Sequence, residues 1–172
     1  MNEQSSILNM ILSAVISGGV ASGLIALLFK GRVARIEAVV KSQRTWKEEC
    51  VSRLLGPLYM QFDRTKRAFD RWNSKNLFLE ATVVRRGNET IRDLLLENGH
   101  LIPPDLLNDA GKLVEHYDVW LEKFEKQRSA ENPDLETPFV FVGPDGYPFP
   151  RDSERSFREK FHDYWGDLYS GA

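Results

Sequence analysis

Residues Pro104–Arg128 read PDLLNDAGKLVEHYDVWLEKFEKQR and decide the fold class. Apolar side chains recur at every third or fourth position, which is the repeat of one face of an α-helix. Proline and an acidic residue stand in the first turn, where both favour helix initiation. The apolar face comprises Leu106, Ala110, Leu113, Tyr117, Trp120, Leu121 and Phe124. A helix with one apolar face is covered by partner helices, so this stretch predicts a helical bundle.

Other parts of the chain supply such partners. The same helical spacing of apolar residues is found in residues 33–55, 58–72, 76–97 and 152–169. Gly56-Pro57 predicts a break or kink after the first of these segments, and Asn98-Gly99 predicts the end of the third. Residues 139–150 combine a β-prone run, a glycine- and proline-rich turn and a second short run, which predicts one short β-hairpin.

The N-terminal part contains the longest apolar run, Ile7–Phe29, with the sequence ILNMILSAVISGGVASGLIALLF and no charged residue. As a helix it would be roughly 34 Å long, enough to cross a hydrocarbon core of about 30 Å. A cleaved signal peptide is the alternative, but a basic n-region is missing and the run is too long. The cations that follow the run place the C-terminal side in the cytoplasm by the positive-inside rule. They are Lys30, Arg32, Arg35, Lys41 and Arg44.

This apolar run is rich in small residues at helical spacing. Gly19 and Gly23 form a GxxxG pair, and Ser17 and Ala21 lie four positions apart. Small side chains at this spacing let two helix backbones approach closely in lipid. The pattern predicts a homo-oligomer in contact with membrane lipids.

The predicted fold class is therefore mainly α. It consists of a single N-terminal transmembrane helix followed by a cytoplasmic helical bundle with one short β-hairpin. The predicted domains are a transmembrane anchor over 1–30, a juxtamembrane helical stalk over 31–56 and a helical domain over 57–172. The predicted location is the inner membrane, as a single-pass protein with its N-terminus outside.

Charge is segregated along the chain although the net charge is only -2. Residues 31–92 contain 14 Lys/Arg and 7 Asp/Glu, whereas residues 93–172 contain 8 Lys/Arg and 17 Asp/Glu. Residues 31–92, the basic half, are predicted to bind lipid headgroups or phosphate, or to pack against acidic helices within or between subunits. The acidic half argues against general nucleic-acid binding. The candidate lipid- or phosphate-binding residues are Arg32, Arg35, Arg64, Lys66, Arg67 and Arg71.

Motifs of known chemistry are mostly missing from the sequence. There is no Walker loop, dinucleotide-binding glycine fingerprint, HExxH or GxSxG motif, so no cofactor or metal site is predicted. The lone Cys50 excludes a disulfide framework and a cysteine-rich zinc site. Among three histidines, only His162 has a suggestive neighbour, Arg155, two helical turns before it. An Arg–His pair could stabilise developing negative charge and transfer protons during RNA cleavage.

The Arg155-x6-His162 spacing resembles the motif of HEPN ribonucleases, although Ser156 follows the arginine where that family more often has Asn, Asp or His. The layout of the whole chain is similar to the small membrane-anchored accessory proteins encoded beside type VI CRISPR nucleases. That resemblance implies a degenerate HEPN-like helical domain and an oligomeric membrane effector in bacterial antiviral defence.

Three functions follow from the sequence. The first is a non-enzymatic membrane protein that self-associates, engages a protein partner and acts as an interaction or defence effector, with perturbation of the membrane by the oligomer as one version. The second is a membrane-tethered ribonuclease that uses Arg155 and His162, within one chain or across a dimer. The third is a sensor in which the basic cluster around Arg64–Arg71 receives a nucleotide signal.

Overall fold

The computed structural model describes residues 30–71, 76, 78–128, 134, 136 and 148–170. The chain divides into two compact units, Met1–Thr45 and Trp46–Ala172. In the first unit, residues 30–45 are helical and every one of them is exposed. We refer to residues 30–45 as the basic helix because it carries five cations and one acid.

The described residues of the second unit form a bundle of four α-helices, two of them preceded by a π-helical segment. Within the described residues the order is π1 (Cys50–Leu55), α1 (Gly56–Asp70), π2 (Phe78–Arg85), α2 (Arg86–Glu97), α3 (Leu107–Arg128) and α4 (Arg151–Tyr169). Short 3₁₀ turns at Gly99–Leu101 and Pro104–Leu106 connect α2 to α3. The prediction of a helical bundle is confirmed.

Gly56-Pro57 does not break the helix, and the chain continues from π1 into α1. Pro57 has no N–H to donate and stands in the first turn of α1. The Gly56 N–H donates to the Val51 carbonyl, five residues back, which is the π-helical pattern. The wider turn therefore accommodates the proline without ending the helix.

The core of the second unit forms where the apolar faces of the helices meet. In the larger cluster, Leu54 and Leu58 from π1 and α1 meet Ile91 of α2, Leu113 of α3 and Phe157 of α4, all at most 2% exposed. α1 packs on α2, α2 on α3 and α3 on α4, and α4 also contacts π1 and α1. A smaller cluster comprises Ala68, Val84, Trp120 and Phe124. The face predicted for residues 104–128 is thus covered by partner helices.

The prediction of a β-hairpin over 139–150 is wrong where the structure describes this range. No strand occurs in the described residues, and residues 148–150 form an irregular lead into α4. The physical reason is local, because Pro148 and Pro150 have no N–H for a strand ladder and Pro150 serves as the N-cap of α4. Residues 139–147 lie outside the described part of the chain.

The predictions of a transmembrane fold class and of an inner-membrane location are also corrected. In the part of the chain that the structure describes, no helix is long and apolar enough to span a bilayer. The described helices are amphipathic and regularly charged, as α1 illustrates with Asp63, Arg64, Lys66, Arg67 and Asp70 among its 15 residues. The predicted span Ile7–Phe29 falls outside the described residues.

Candidate ligand-binding cavity

A cavity of about 710 Å³ lies in the second unit, where α1, α2, α3 and the start of α4 come together. Cavities of this size are typical of sites for small molecules. Its wall combines aromatic rings with cationic side chains. The lining residues are Phe62, Thr65, Lys66, Phe69, Asp70, Val84, Asn88, His116, Tyr117, Trp120, Pro148, Phe149, Arg151, Glu154, Arg155 and Arg158.

The cationic side of the cavity comes from α1 and α4. Four cations line it together with two acids, Asp70 and Glu154, which leaves an excess of positive charge. Lys66, Arg151 and Arg155 are exposed, so their charged ends can reach a ligand at the mouth. Arg155 contacts the almost fully exposed Asp152 at 3.2 Å, a weak surface pair that a stronger anion can replace.

The fourth cation, Arg158, is held in place by its neighbours. Its Nε donates to Glu154 Oε1 at 2.7 Å, and its guanidinium lies 4.8 Å from the ring centre of Tyr59 and 5.6 Å from that of Phe62. Both side chains of the ion pair are about one-fifth exposed. Arg158 and Glu154 therefore form a largely neutralised, fixed part of the wall, and most of the uncompensated positive charge is left to the three exposed cations.

Most of the aromatic rings that line the cavity come from α3 and from the residues before α4. Trp120 is stacked on Phe124 at 5.1 Å, with 17° between the ring planes, so the indole has a fixed orientation. His116 and Phe149 meet edge to face at 5.3 Å. Tyr117 and Phe149 lie 6.4 Å apart. Pre-ordered rings of this kind offer stacking surfaces to a planar ligand.

Two buried polar residues line the interior of the cavity. Asn88 of α2 is only 5% exposed, and its amide can both donate and accept hydrogen bonds. Tyr117 is 2% exposed. Burial, reinforced by the charge of Glu154, raises the pKa of Tyr117 far above its usual value, so the phenol stays neutral. A ligand would therefore meet neutral polar groups inside and positive charge at the mouth.

The N-terminus of α4 adds to the positive character of this region. Arg151, Glu154 and Arg155, all in its first two turns, line the cavity. The N-cap Pro150 makes no side-chain capping hydrogen bond, and the Glu154 N–H donates to the Pro150 carbonyl at 3.1 Å. The partial positive charge at the start of a helix favours an anion there.

The predicted phosphate-binding residues are not all brought together. Lys66 lines the cavity, whereas Arg64, Arg67 and Arg71 are exposed on α1 and its C-cap without lining it. Arg67 instead pairs with Asp63 at 2.7 Å. Arg32 and Arg35 lie on the basic helix of the first unit.

Arg155 and His162, the predicted catalytic pair, occupy different surroundings on α4. They are seven positions apart, which is roughly 10 Å along the helix axis. Arg155 lines the cavity, but His162 is exposed and does not. The His162 ring instead meets Tyr59 edge to face at 5.4 Å. Within one chain, Arg155 therefore lies at the cavity and His162 lies outside it.

Other predicted site residues are outside the described part of the chain. These are the oligomerisation residues Ser17, Gly19, Ala21 and Gly23. Among the described residues, no group of His, Cys, Asp and Glu is arranged to hold a metal ion.

Arg151, Asn88 and Trp120 line the cavity but were not predicted from sequence as site residues. A signal for the first was present, because Arg151, Arg155 and Arg158 recur at helical spacing and share one face of α4. Asn88 and Trp120 gave no such signal, since each lies in an apolar pattern that equally indicates a core. No protein-family model, curated protein or solved structure matches this chain.

Proposed function

We propose that this protein is a ligand-binding module that recognises a small anionic molecule with a planar ring, of the nucleotide class. The observation that carries the proposal is that exposed cations and fixed aromatic rings line the same cavity. The cations suit a phosphate group and the rings suit a base, and the volume of about 710 Å³ accommodates a molecule with both parts.

The charge balance of the cavity supports an anionic rather than a neutral ligand. Lys66, Arg151 and Arg155 face solvent, and a bound phosphate would gain charge-assisted hydrogen bonds from any of them. The start of α4 favours negative charge at the same end. Asn88 supplies directional hydrogen bonding to the edge of a base deeper inside.

Binding is proposed in preference to catalysis. A ribonuclease that uses Arg155 and His162 needs both groups at one scissile phosphate, and only Arg155 lines the cavity. The nucleotide would then act as a signal, and the predicted interaction or defence output would be its consequence. That output stays a prediction.

A thermal-shift measurement with AMP, ATP, cyclic AMP, adenosine and inorganic phosphate tests the proposal. A nucleotide at 100 times its Kd should stabilise the fold by about 2.7 kcal/mol, which corresponds to a rise in Tm of roughly 5–10 °C. Adenosine and phosphate alone should each give a smaller rise, because each uses only one part of the wall. If none of the five raises the Tm, the proposal is wrong.

Neighbouring residues of α1 provide matched variants. Lys66→Ala removes a cation that lines the cavity, and Arg67→Ala removes the adjacent cation that does not. We expect Lys66→Ala to weaken nucleotide binding by about tenfold, the effect of one charge-assisted hydrogen bond. Arg67→Ala should leave it within about twofold. Equal losses would indicate non-specific attraction to the basic surface.

A further inference from the structure

The basic helix also presents an apolar surface to solvent. Its large aliphatic side chains face solvent, with Val33, Ile36, Val39 and Val40 between 50% and 63% exposed. Val33, Ile36 and Val40 are spaced by three and four residues, so they form one stripe about 10 Å long. A contiguous apolar stripe on an exposed helix is typical of an interaction surface.

The charges around this stripe restrict what can cover it. Lys30, Arg32, Arg35, Lys41 and Arg44 surround it, with Glu37 as the single acid. Two basic helices packed together would bring like charges into proximity, which is unfavourable. The covering surface must therefore combine apolar groups with negative charge.

The C-terminal half of α4 carries such a surface. Trp165 and Tyr169 are 48% and 53% exposed, and their rings lie 4.6 Å apart. Glu159 and Asp163 are exposed on the adjoining part of the same helix. Gly166 lies between the rings and the acids, and a Cβ added there would meet nothing within 4 Å. We call Glu159, Asp163, Trp165, Gly166 and Tyr169 the acidic–aromatic face.

Gly166 gives this face a depression in an otherwise regular helix. A glycine inside a helix is less favourable than alanine, and no close neighbour in the second unit requires it. A gap flanked by Trp165 and Tyr169 can receive one aliphatic side chain, as a hole receives a knob between packed helices. Ile36, the most exposed aliphatic residue of the stripe at 63%, has a suitable shape.

We infer that the basic helix of one copy docks on the acidic–aromatic face of a second copy. The aliphatic stripe covers the exposed rings, and the flanking cations meet Glu159 and Asp163. Each copy carries one of each surface, so the contact is heterologous and continues from copy to copy until a ring closes or a filament grows. This inference is independent of the proposed nucleotide site.

Light scattering on the full chain, in a non-ionic detergent that limits non-specific association of the apolar residues 7–29, tests the docking. We expect the wild-type mass to exceed that of a monomer, to rise with protein concentration and to fall on raising NaCl from about 50 to 500 mM. A monomeric wild type, or a mass indifferent to salt, would overturn the inference.

Two variants separate the two surfaces. Ile36→Asn combined with Val40→Asn disables the basic helix, and Gly166→Leu fills the depression in the acidic–aromatic face. Each variant alone should be monomeric, whereas an equal mixture should form a dimer and no more, because only one intact pair of surfaces remains. If the mixture stays monomeric, or if either variant alone keeps the wild-type mass, the head-to-tail contact is wrong.

Gly111→Leu is the matched control. Gly111 is an exposed glycine of α3 that also has nothing within 4 Å of an added Cβ, and it lies outside both surfaces. This variant should keep the wild-type mass. Gly166→Ala should raise the Tm, because alanine favours the helix, and yet reduce association. Unchanged association in Gly166→Ala would count against the depression as a contact.

Discussion

At the scale of single residues, Gly87 shows how closely two helices of the bundle approach. A Cβ added at Gly87 of α2 would lie 2.2 Å from Cγ2 of Thr65 on α1. The Thr65 hydroxyl donates to the Gln61 carbonyl at 2.9 Å, which fixes its methyl group. The sequence pattern at Gly87-Asn88 allows a helix break, but α2 is continuous there. Gly87 instead allows α1 and α2 to pack closely.

Gly87→Ala should therefore destabilise the protein although alanine is the better helix former. We expect a loss of about 1–3 kcal/mol in the free energy of unfolding, measured by urea denaturation, because the added methyl overpacks the contact. Gly111→Ala, with open space at its Cβ, should be neutral or stabilising. Adding Thr65→Ser to Gly87→Ala should restore most of the loss, and failure to do so would contradict the steric explanation.

Cys50 provides a second test at this scale. Its side chain is fully buried, and its Sγ–H donates to the Leu101 carbonyl at 3.1 Å. Burial raises the pKa of the Cys50 thiol from 9.0 to about 11. The folded state therefore favours the neutral thiol. The contribution of the neutral thiol to the free energy of unfolding is complete below pH 9 and is lost as the pH rises towards 11.

Two measurements follow for Cys50. A disulfide reagent at pH 8 should modify it only after denaturation, because both access and thiolate are missing in the folded state. The fall in unfolding free energy between pH 9 and 11 should be smaller in Cys50→Ser. Rapid labelling of the native protein would refute the buried position.

At the scale of elements, the buried ion pair between Glu80 and Arg128 joins π2 to the end of α3. Arg128 Nε donates to Glu80 Oε2 at 2.7 Å, and the two side chains are 2% and 0% exposed. Arg128 also donates to the Asp134 carbonyl. A buried charge whose partner is removed is costly, so this pair fixes where the two elements meet.

Arg128→Met should lower the free energy of unfolding by about 3–5 kcal/mol, because it removes the guanidinium that bonds to the buried Glu80 carboxyl group. The neighbouring Lys126→Met removes only an exposed pair with Glu122 and should cost less than about 0.5 kcal/mol. Glu80→Leu combined with Arg128→Met should recover most of the loss in a denaturation experiment. A double variant as unstable as Arg128→Met would show that the cost does not come from the loss of the Glu80–Arg128 ion pair.

Most helices of the second unit were predictable from sequence. The last helix, predicted over 152–169, spans Arg151–Tyr169, and the helix predicted to end at Arg128 ends there. Periodicity and caps determine such elements locally. The π-helical turns were not predictable, because a proline indicates an interruption without specifying how the backbone absorbs it.

At the scale of the whole molecule, the cavity could not be predicted from any single segment. Lys66, Asn88, Trp120 and Arg155 belong to four helices and come together only through packing. Each has an ordinary local explanation as a solvated cation, a polar helical residue or a core aromatic. Of the residues predicted from sequence, only Lys66, from the basic cluster, and Arg155, a catalytic candidate, line the cavity.

In the structure, the basic and acidic residues that are segregated along the sequence lie on different helical surfaces. Basic residues 30–45 form an exposed helix, and acids and aromatics share the far half of α4, so complementary surfaces occur on one chain. The start of α4 is instead basic and borders the cavity. The first half of α4 therefore belongs to the proposed nucleotide site, and its second half to the proposed contact between copies. The two proposals can be tested separately.

The most direct test of the central claim is the affinity of a fluorescent ATP analogue for the full chain, measured by anisotropy in the wild type, Arg155→Ala and Arg64→Ala. Arg155 lines the cavity, whereas Arg64 is an exposed arginine that does not. We expect saturable binding that Arg155→Ala weakens about tenfold and Arg64→Ala leaves within about twofold. No saturable binding, or the same affinity in both variants, would contradict it.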